Sequence, residues 1–105
     1  MMLLTKAIRD KLPLLYTTEH MPADDKIVQV KFFHAFSSWT WYAVEFDGVD
    51  TFFGVVDGME LEWGYFSLSE LEDLNIKGLG VERDLHFEPK TWAETQKTQP
   101  MRGRQ

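Results

Sequence analysis

A chain of 105 residues is enough for one domain, and its 44% hydrophobic and 14% aromatic content supplies a packed interior and excludes a disordered body. The absence of cysteine excludes a disulfide framework, a thiolate metal site and a cysteine nucleophile. Residues 1–89 hold seven Lys/Arg against sixteen Asp/Glu and residues 90–105 four against one, so a −9 body carries a +3 tail; such a body repels phosphates and argues against direct nucleic-acid binding.

The opening MMLLTKAIRDKL has no long apolar run, and nothing later approaches the ~20 residues of a membrane span. The expectation is an unprocessed, cytoplasmic protein with no membrane partner. Thr5 is placed to cap a short helix through Lys11, with Ala7, Ile8 and Leu12 inward, and Pro13 stops it. Leu14, Leu15 and Tyr16 follow as an apolar strap, then residues 17–26 as a polar loop.

Four strands come next, and their turns propose a register. Asp57-Gly58 reads as a two-residue hairpin loop that sets Val56 opposite Met59 and Phe52 opposite Trp63. The turn Asp47 to Asp50 pairs Phe46 with Thr51, Glu45 with Phe52 and Ala43 with Gly54, and a Ser37-Ser38 turn pairs Phe36 with Trp39. Directly opposed residues share a face. One face then collects Val30, Phe32, His34, Trp39, Trp41, Ala43, Glu45, Phe52, Leu61, Trp63 and Tyr65, with His34 and Glu45 the only members among the strands that ionise at or below neutral pH.

Ser67 and Glu70 have capping-box spacing ahead of Leu68, Leu71 and Leu74, which predicts a helix over the tryptophan-rich face. Lys77 to Gly80 closes it with a turn. Val81 to Phe87 alternates as a fifth, edge strand ended by Pro89, and Thr91 with Glu94 repeats the capping-box spacing around Trp92. The fold class is α+β: a twisted antiparallel meander of about five strands packed by one main helix, with short terminal helices. Residues 1–96 form a single domain, and residues 97–105 a mobile basic tail with nothing to bury.

Motifs for nucleotide binding, zinc proteolysis or an activated serine are absent, so no cofactor is expected. Glu45 and Arg83 both point to the apolar side of their strands, where an unpaired charge is costly. A mutual ion pair is the favoured reading. The catalytic alternative makes Glu45 a general base and Arg83 an anion binder in a small carboxylate-centred pocket. His34 falls opposite Trp41, about 13 Å along the strand from Glu45 at ~3.3 Å per residue, and reads as a core-edge histidine bonded to backbone. Glu82, Asp84 and His86 alternate onto one side as hard-cation ligands could, although such a row more often blunts a sheet edge. The opposite sheet face gathers Phe33, Tyr42, Phe46 and Phe53, fringed by Glu60 and Glu62. It is too apolar to stand bare, so either the N-terminal helix and the Trp92 segment cover it or a partner does.

The block WTWY-x-x-E, then FFG, GYFSLSEL and ERDLHFEPKT, resembles a family of small bacterial proteins of unknown function. Its members sit on plasmids, integrative elements and phages, sometimes among anti-restriction genes, and the resemblance runs from LLTKAIRDKLP to about Thr91. Members carry a longer insertion where this chain has only Asp47 to Asp50, so nothing done by that loop carries over. The resemblance implies a mobile-element setting and brings no catalytic residues. The expectation is a non-enzymatic protein-interaction module, an acidic inhibitor of a host defence or nucleic-acid-binding protein of anti-restriction or anti-CRISPR type, acting through Phe33, Tyr42, Phe46, Phe53, Glu60 and Glu62. The Glu45/Arg83 enzyme and a structural homodimer through the Phe33–Phe53 face are the alternatives.

Overall fold

A computed structural model describes residues 2–103. In chain order the elements are α1 (Lys6–Lys11), β1 (Ile27–Val28), β2 (Val30–His34), β3 (Trp39–Phe46), β4 (Thr51–Asp57), β5 (Leu61–Ser67), α2 (Leu68–Asp73), β6 (Asn75–Ile76), β7 (Leu79–Gly80), β8 (Glu82–Arg83), β9 (Lys90–Thr91) and α3 (Trp92–Thr98). Strands β2 to β5 and β8 make one antiparallel sheet in the order β5-β4-β3-β2-β8, the α+β meander that the sequence predicts. All three helix starts are where the spacing placed them. The hydroxyls of Thr5, Ser67 and Thr91 accept the N–H groups of Ile8, Glu70 and Glu94, and Ser67 also donates to the Glu70 carboxylate at 2.8 Å.

The three hairpins depart from the expected registers in different ways. Between β2 and β3 the loop is Ala35 to Ser38, with Ser38 left-handed (φ 65°), so His34 faces Trp39 and Phe32 faces Trp41. That is an even shift from the expected pairing, so every side chain keeps its face. The β3–β4 turn lies where it was placed, with Asp47 accepting the N–H groups of Val49, Asp50 and Thr51 at 2.8, 2.8 and 3.0 Å and Gly48 supplying the left-handed residue, but the expected pairing of Phe46 with Thr51 does not form. A register shift between Ala43 and Glu45 then opposes Phe46 to Phe52 and Glu45 to Phe53. This bulge turns Phe46 into the core beside Phe52 and sends Glu45 to the other face.

The β4–β5 loop holds three residues, Gly58 to Glu60, and Asp57 faces Leu61. Gly58 is glycine because the Trp39 indole lies against it, a Cβ there coming within 2.5 Å of the ring; its φ is not positive. Asp57 stays in the strand, buried, and accepts the N–H groups of Arg102 and Gly103 at 2.8 and 2.6 Å. The odd shift inverts β5. Leu61 and Trp63 join Tyr42 and Val55, while Glu62 moves to the face of Trp41 and Val56. The tryptophans therefore divide: Trp39 and Trp41 on one face, Trp63 and Trp92 on the other with rings 5.7 Å apart.

Both faces are covered by the chain's own ends. The first packs Val30, Phe32, Phe46, Phe52 and Phe66 under Leu3, Leu4, Leu12 and the α2 residues Leu68 and Leu71. The second packs Tyr42, Val44 and Val55 under Trp92, Phe87 and Met101. Ala7, expected inward, is exposed, because the short α1 turns only Ile8 toward the core. The fifth strand shrinks to Glu82–Arg83, since the chain then turns, with Phe87 N–H donating to Asp84 O at 3.3 Å. In the segment assigned to a tail, Lys97 and Thr98 complete α3, Met101 packs on the second face, and Arg102 donates its guanidinium to Gly58 O at 3.0 Å. Residues 104 and 105 lie outside the described residues. No helix among the described residues is long and apolar enough to cross a membrane.

Candidate interaction surface

Glu45 is 2% exposed on the second face, and its partner is not Arg83. One carboxylate oxygen accepts the Tyr16 N–H at 2.8 Å; the other accepts the Thr18 N–H at 3.0 Å and the Thr18 hydroxyl. Lys26 completes the knot by donating to the Thr18 carbonyl and, at 3.2 Å, to its hydroxyl. Tyr16 is held left-handed (φ 72°), a conformation that costs an aromatic residue about 1–3 kcal/mol and persists only when surroundings impose it. Glu45 imposes it, and so fastens the strap after α1 to the sheet.

Arg83 faces Phe32 on the opposite side and donates to the carbonyls of Met2 and, at 3.0 Å, Leu3. The expected ion pair and the shared catalytic pocket are thus overturned by geometry: the bulge at Val44 carries Glu45 to the second face while Arg83 remains on the first. His34 is the backbone-bonded histidine that was expected. Its Nδ1 accepts Ser37 N–H at 3.1 Å, which leaves Nε2 to donate to Leu79 O at 2.8 Å. The Glu82, Asp84, His86 row dissolves because the strand ends at Arg83. Asp84 instead accepts His86 N–H at 2.9 Å and lies 3.5 Å from Lys31 Nζ, and among the described residues no His/Asp/Glu group could hold a metal ion.

The aromatic surface does not exist as one patch. Tyr42 and Phe46 are buried on opposite faces, because the bulge separates them. The Tyr42 hydroxyl has no hydrogen-bond partner among the described residues, and burial, with the Asp57 and Asp84 charges, pushes its pKa up. Phe33 is half-buried near the β8 edge. Phe53 is half-buried in an aromatic row, 5.7 Å from the Trp63 ring and 5.2 Å from Tyr65. With Tyr16, Glu19, Lys26, Glu45 and Tyr65 it lines a hollow of about 240 Å³. The Tyr16 hydroxyl beside it raises the Tyr65 phenol pKa, and desolvation and the Glu19 and Glu45 charges add to it.

Glu60 and Glu62 lie apart from these aromatics, at the other end of β5. With Trp39, Val56, Gly58 and Met59 they line a hollow of about 390 Å³ on the first face. Met59 stands 80% exposed, and among the described residues neither glutamate has an ion-pair partner. Arg102 reaches the same turn but donates to Gly58 O. Trp39 also borders an apolar hollow of about 240 Å³ with Ser37, Trp41, Leu74 and Ile76, so its indole divides an acidic hollow from a greasy one. Met59 was missed because the two-residue Asp57-Gly58 loop placed it in the core, and Trp39 because it was counted with the covered face, where it keeps its side but is only half-buried. The signal that could have found them is Gly58, readable as the seat of a ring rather than as a turn residue.

The arrangement can receive a cation over an indole, flanked by carboxylates, with room beside it for an apolar side chain. Neither the curated proteins nor the solved structures gave a match. A family description does match, over residues 3–98, nearly the whole chain. The chain belongs to the family described as "Protein of unknown function (DUF2958)".

Proposed function

We propose that this chain is a non-enzymatic protein-interaction module that binds a basic surface of a partner protein in the hollow formed by Trp39, Met59, Glu60 and Glu62. The observation that carries the reading is two glutamates without ion-pair partners among the described residues, beside a half-buried indole and an exposed methionine. Exposed carboxylates steer a cationic partner, and aromatic anchors supply most of the energy once it has docked. The −9 body favours the same partners and disfavours direct contact with nucleic acid. The resemblance to proteins of plasmids and phages supports a counter-defence setting, in which the carboxylates occupy a groove that a host protein uses for phosphates.

The test is affinity capture from a bacterial lysate with the native chain and with Glu60→Lys/Glu62→Lys, over a salt series. The reading requires a basic protein held by the native chain at low salt and released both by salt and by the charge reversal. Equal capture by the two chains contradicts it. A concentration-dependent dimer with no other partner would favour the homodimer.

A further inference from the structure

The two edges of the sheet are built differently. At one, β8 is only Glu82–Arg83 before the chain turns away, the short, charged edge that discourages pairing. At the other, β5 runs seven residues, LEWGYFS, with no lysine, proline or bulge. Among the described residues it pairs only with β4, so every second residue turns its N–H and C=O outward. Among the described residues no backbone hydrogen bond reaches that outer side between Glu62 and Phe66, and Gly103, the last of them, lies beside Glu60 and Leu61.

Gly64, at the middle of β5, sharpens the contrast. Its neighbour across the ladder, Gly54, has to be glycine, since a Cβ there would lie 1.9 Å from Tyr42 O. A Cβ on Gly64 would meet nothing within 4 Å. The fold does not need glycine at that position, and a bare backbone in mid-strand is where another chain can approach closely.

We infer that β5 is a strand-addition site, and that its occupant is an extended segment of a partner protein in which Lys or Arg alternates with apolar residues. Charge selects that occupant over a second copy of this chain. Glu60 and Glu62 flank the strand on the first face, and Glu19 lines the hollow beside Tyr65 on the second. A self-paired β5 would bring these carboxylates, on two chains of net −6, to one seam. In an added strand, side chains alternate. Those on the first face meet Glu62 and the open space over Gly64, and those on the second meet Trp63 and Tyr65. The inference rests on the preceding reading for the sign of the partner's charge; the backbone edge is its own.

The probe is a disulfide-cyclised hairpin peptide presenting an outer strand of alternating lysine and valine, titrated into the full chain with amide exchange followed by NMR. Two control peptides accompany it: one N-methylated on the outward amides of that strand, and one with glutamate for lysine. The expected result is slowed exchange at alternate amides between Glu62 and Phe66, with binding weakened at least tenfold in each control. Equal binding of the N-methylated peptide overturns strand addition while leaving the acidic hollow in place. So does failure of the hairpin where decalysine still perturbs Trp39. If decalysine also fails, the charge reading falls with it. Protection of β5 that grows with protein concentration alone assigns the edge to a second copy, and overturns the inference.

Discussion

Buried and half-buried acids in this chain are held by fixed donors, and each can be tested singly. Glu45 receives two backbone N–H groups and a hydroxyl. In Glu45→Gln the amide keeps one acceptor and turns an NH₂ toward a donor, so unfolding in urea should show a loss of about 2–3 kcal/mol. A loss below about 0.5 kcal/mol would mean that the strap does not depend on it. Asp47, near the surface, has its pKa lowered by the N–H bonds from Val49, Asp50 and Thr51. Its folded pKa lies below the unfolded value near ~4, so its stabilisation is complete above that range and fades as pH falls through the folded pKa. The stability gap between the native chain and Asp47→Asn should hold steady from about pH 7 to 5 and narrow near pH 3. Tyr42 is the converse, a buried hydroxyl without a hydrogen-bond partner among the described residues. Tyr42→Phe removes that unsatisfied group and should leave stability unchanged or raise it by about 1 kcal/mol, read from the urea midpoint.

The strands turn on their glycines. Gly54→Ala drives a methyl into the Tyr42 carbonyl beside the bulge and should cost about 3 kcal/mol. Gly64→Ala, in open space, should gain about 0.5–1 kcal/mol by restricting the unfolded chain. Parallel urea unfolding of the two variants checks the pair, and equal effects would contradict the register. The same positions show what the sequence could carry. Helix starts were legible because a hydroxyl that accepts the N–H three residues on acts locally, and Thr5, Ser67 and Thr91 all cap in this way, the last two with a glutamate at that third position. The central strands were legible from their alternation and the place of the Asp47 turn from its Asp-Gly, though not its pairing, since Phe46 faces Phe52 and not Thr51. The bulge at Val44 was not, because it is fixed by Tyr16 and Thr18, nearly thirty residues upstream of their acceptor Glu45. The three-residue loop after Asp57 was not, because Gly58 answers to the Trp39 ring and Asp57 to Arg102 and Gly103. One odd shift at each site turned over Glu45 and the whole of β5, and with them the expected aromatic patch.

Across the whole molecule, the terminal segments cover both sheet faces, so what remains for a partner is the rim: the Trp39 hollow, the glutamates beside it and the β5 edge. Of the surface read from the sequence, Glu60 and Glu62 are exposed and line the Trp39 hollow, whereas Tyr42 and Phe46 are interior. The proposed recognition is at that rim, by charge and an indole. The measurement that tests it most directly is an NMR titration of the native chain and of Glu60→Lys/Glu62→Lys with decalysine, following the four indole N–H signals. The account predicts a salt-sensitive shift of the Trp39 indole, with the Trp63 and Trp92 indoles unmoved, and its loss in the double variant. Shifts spread evenly over the other acidic surfaces, or a Trp39 response untouched by the charge reversal, would contradict it.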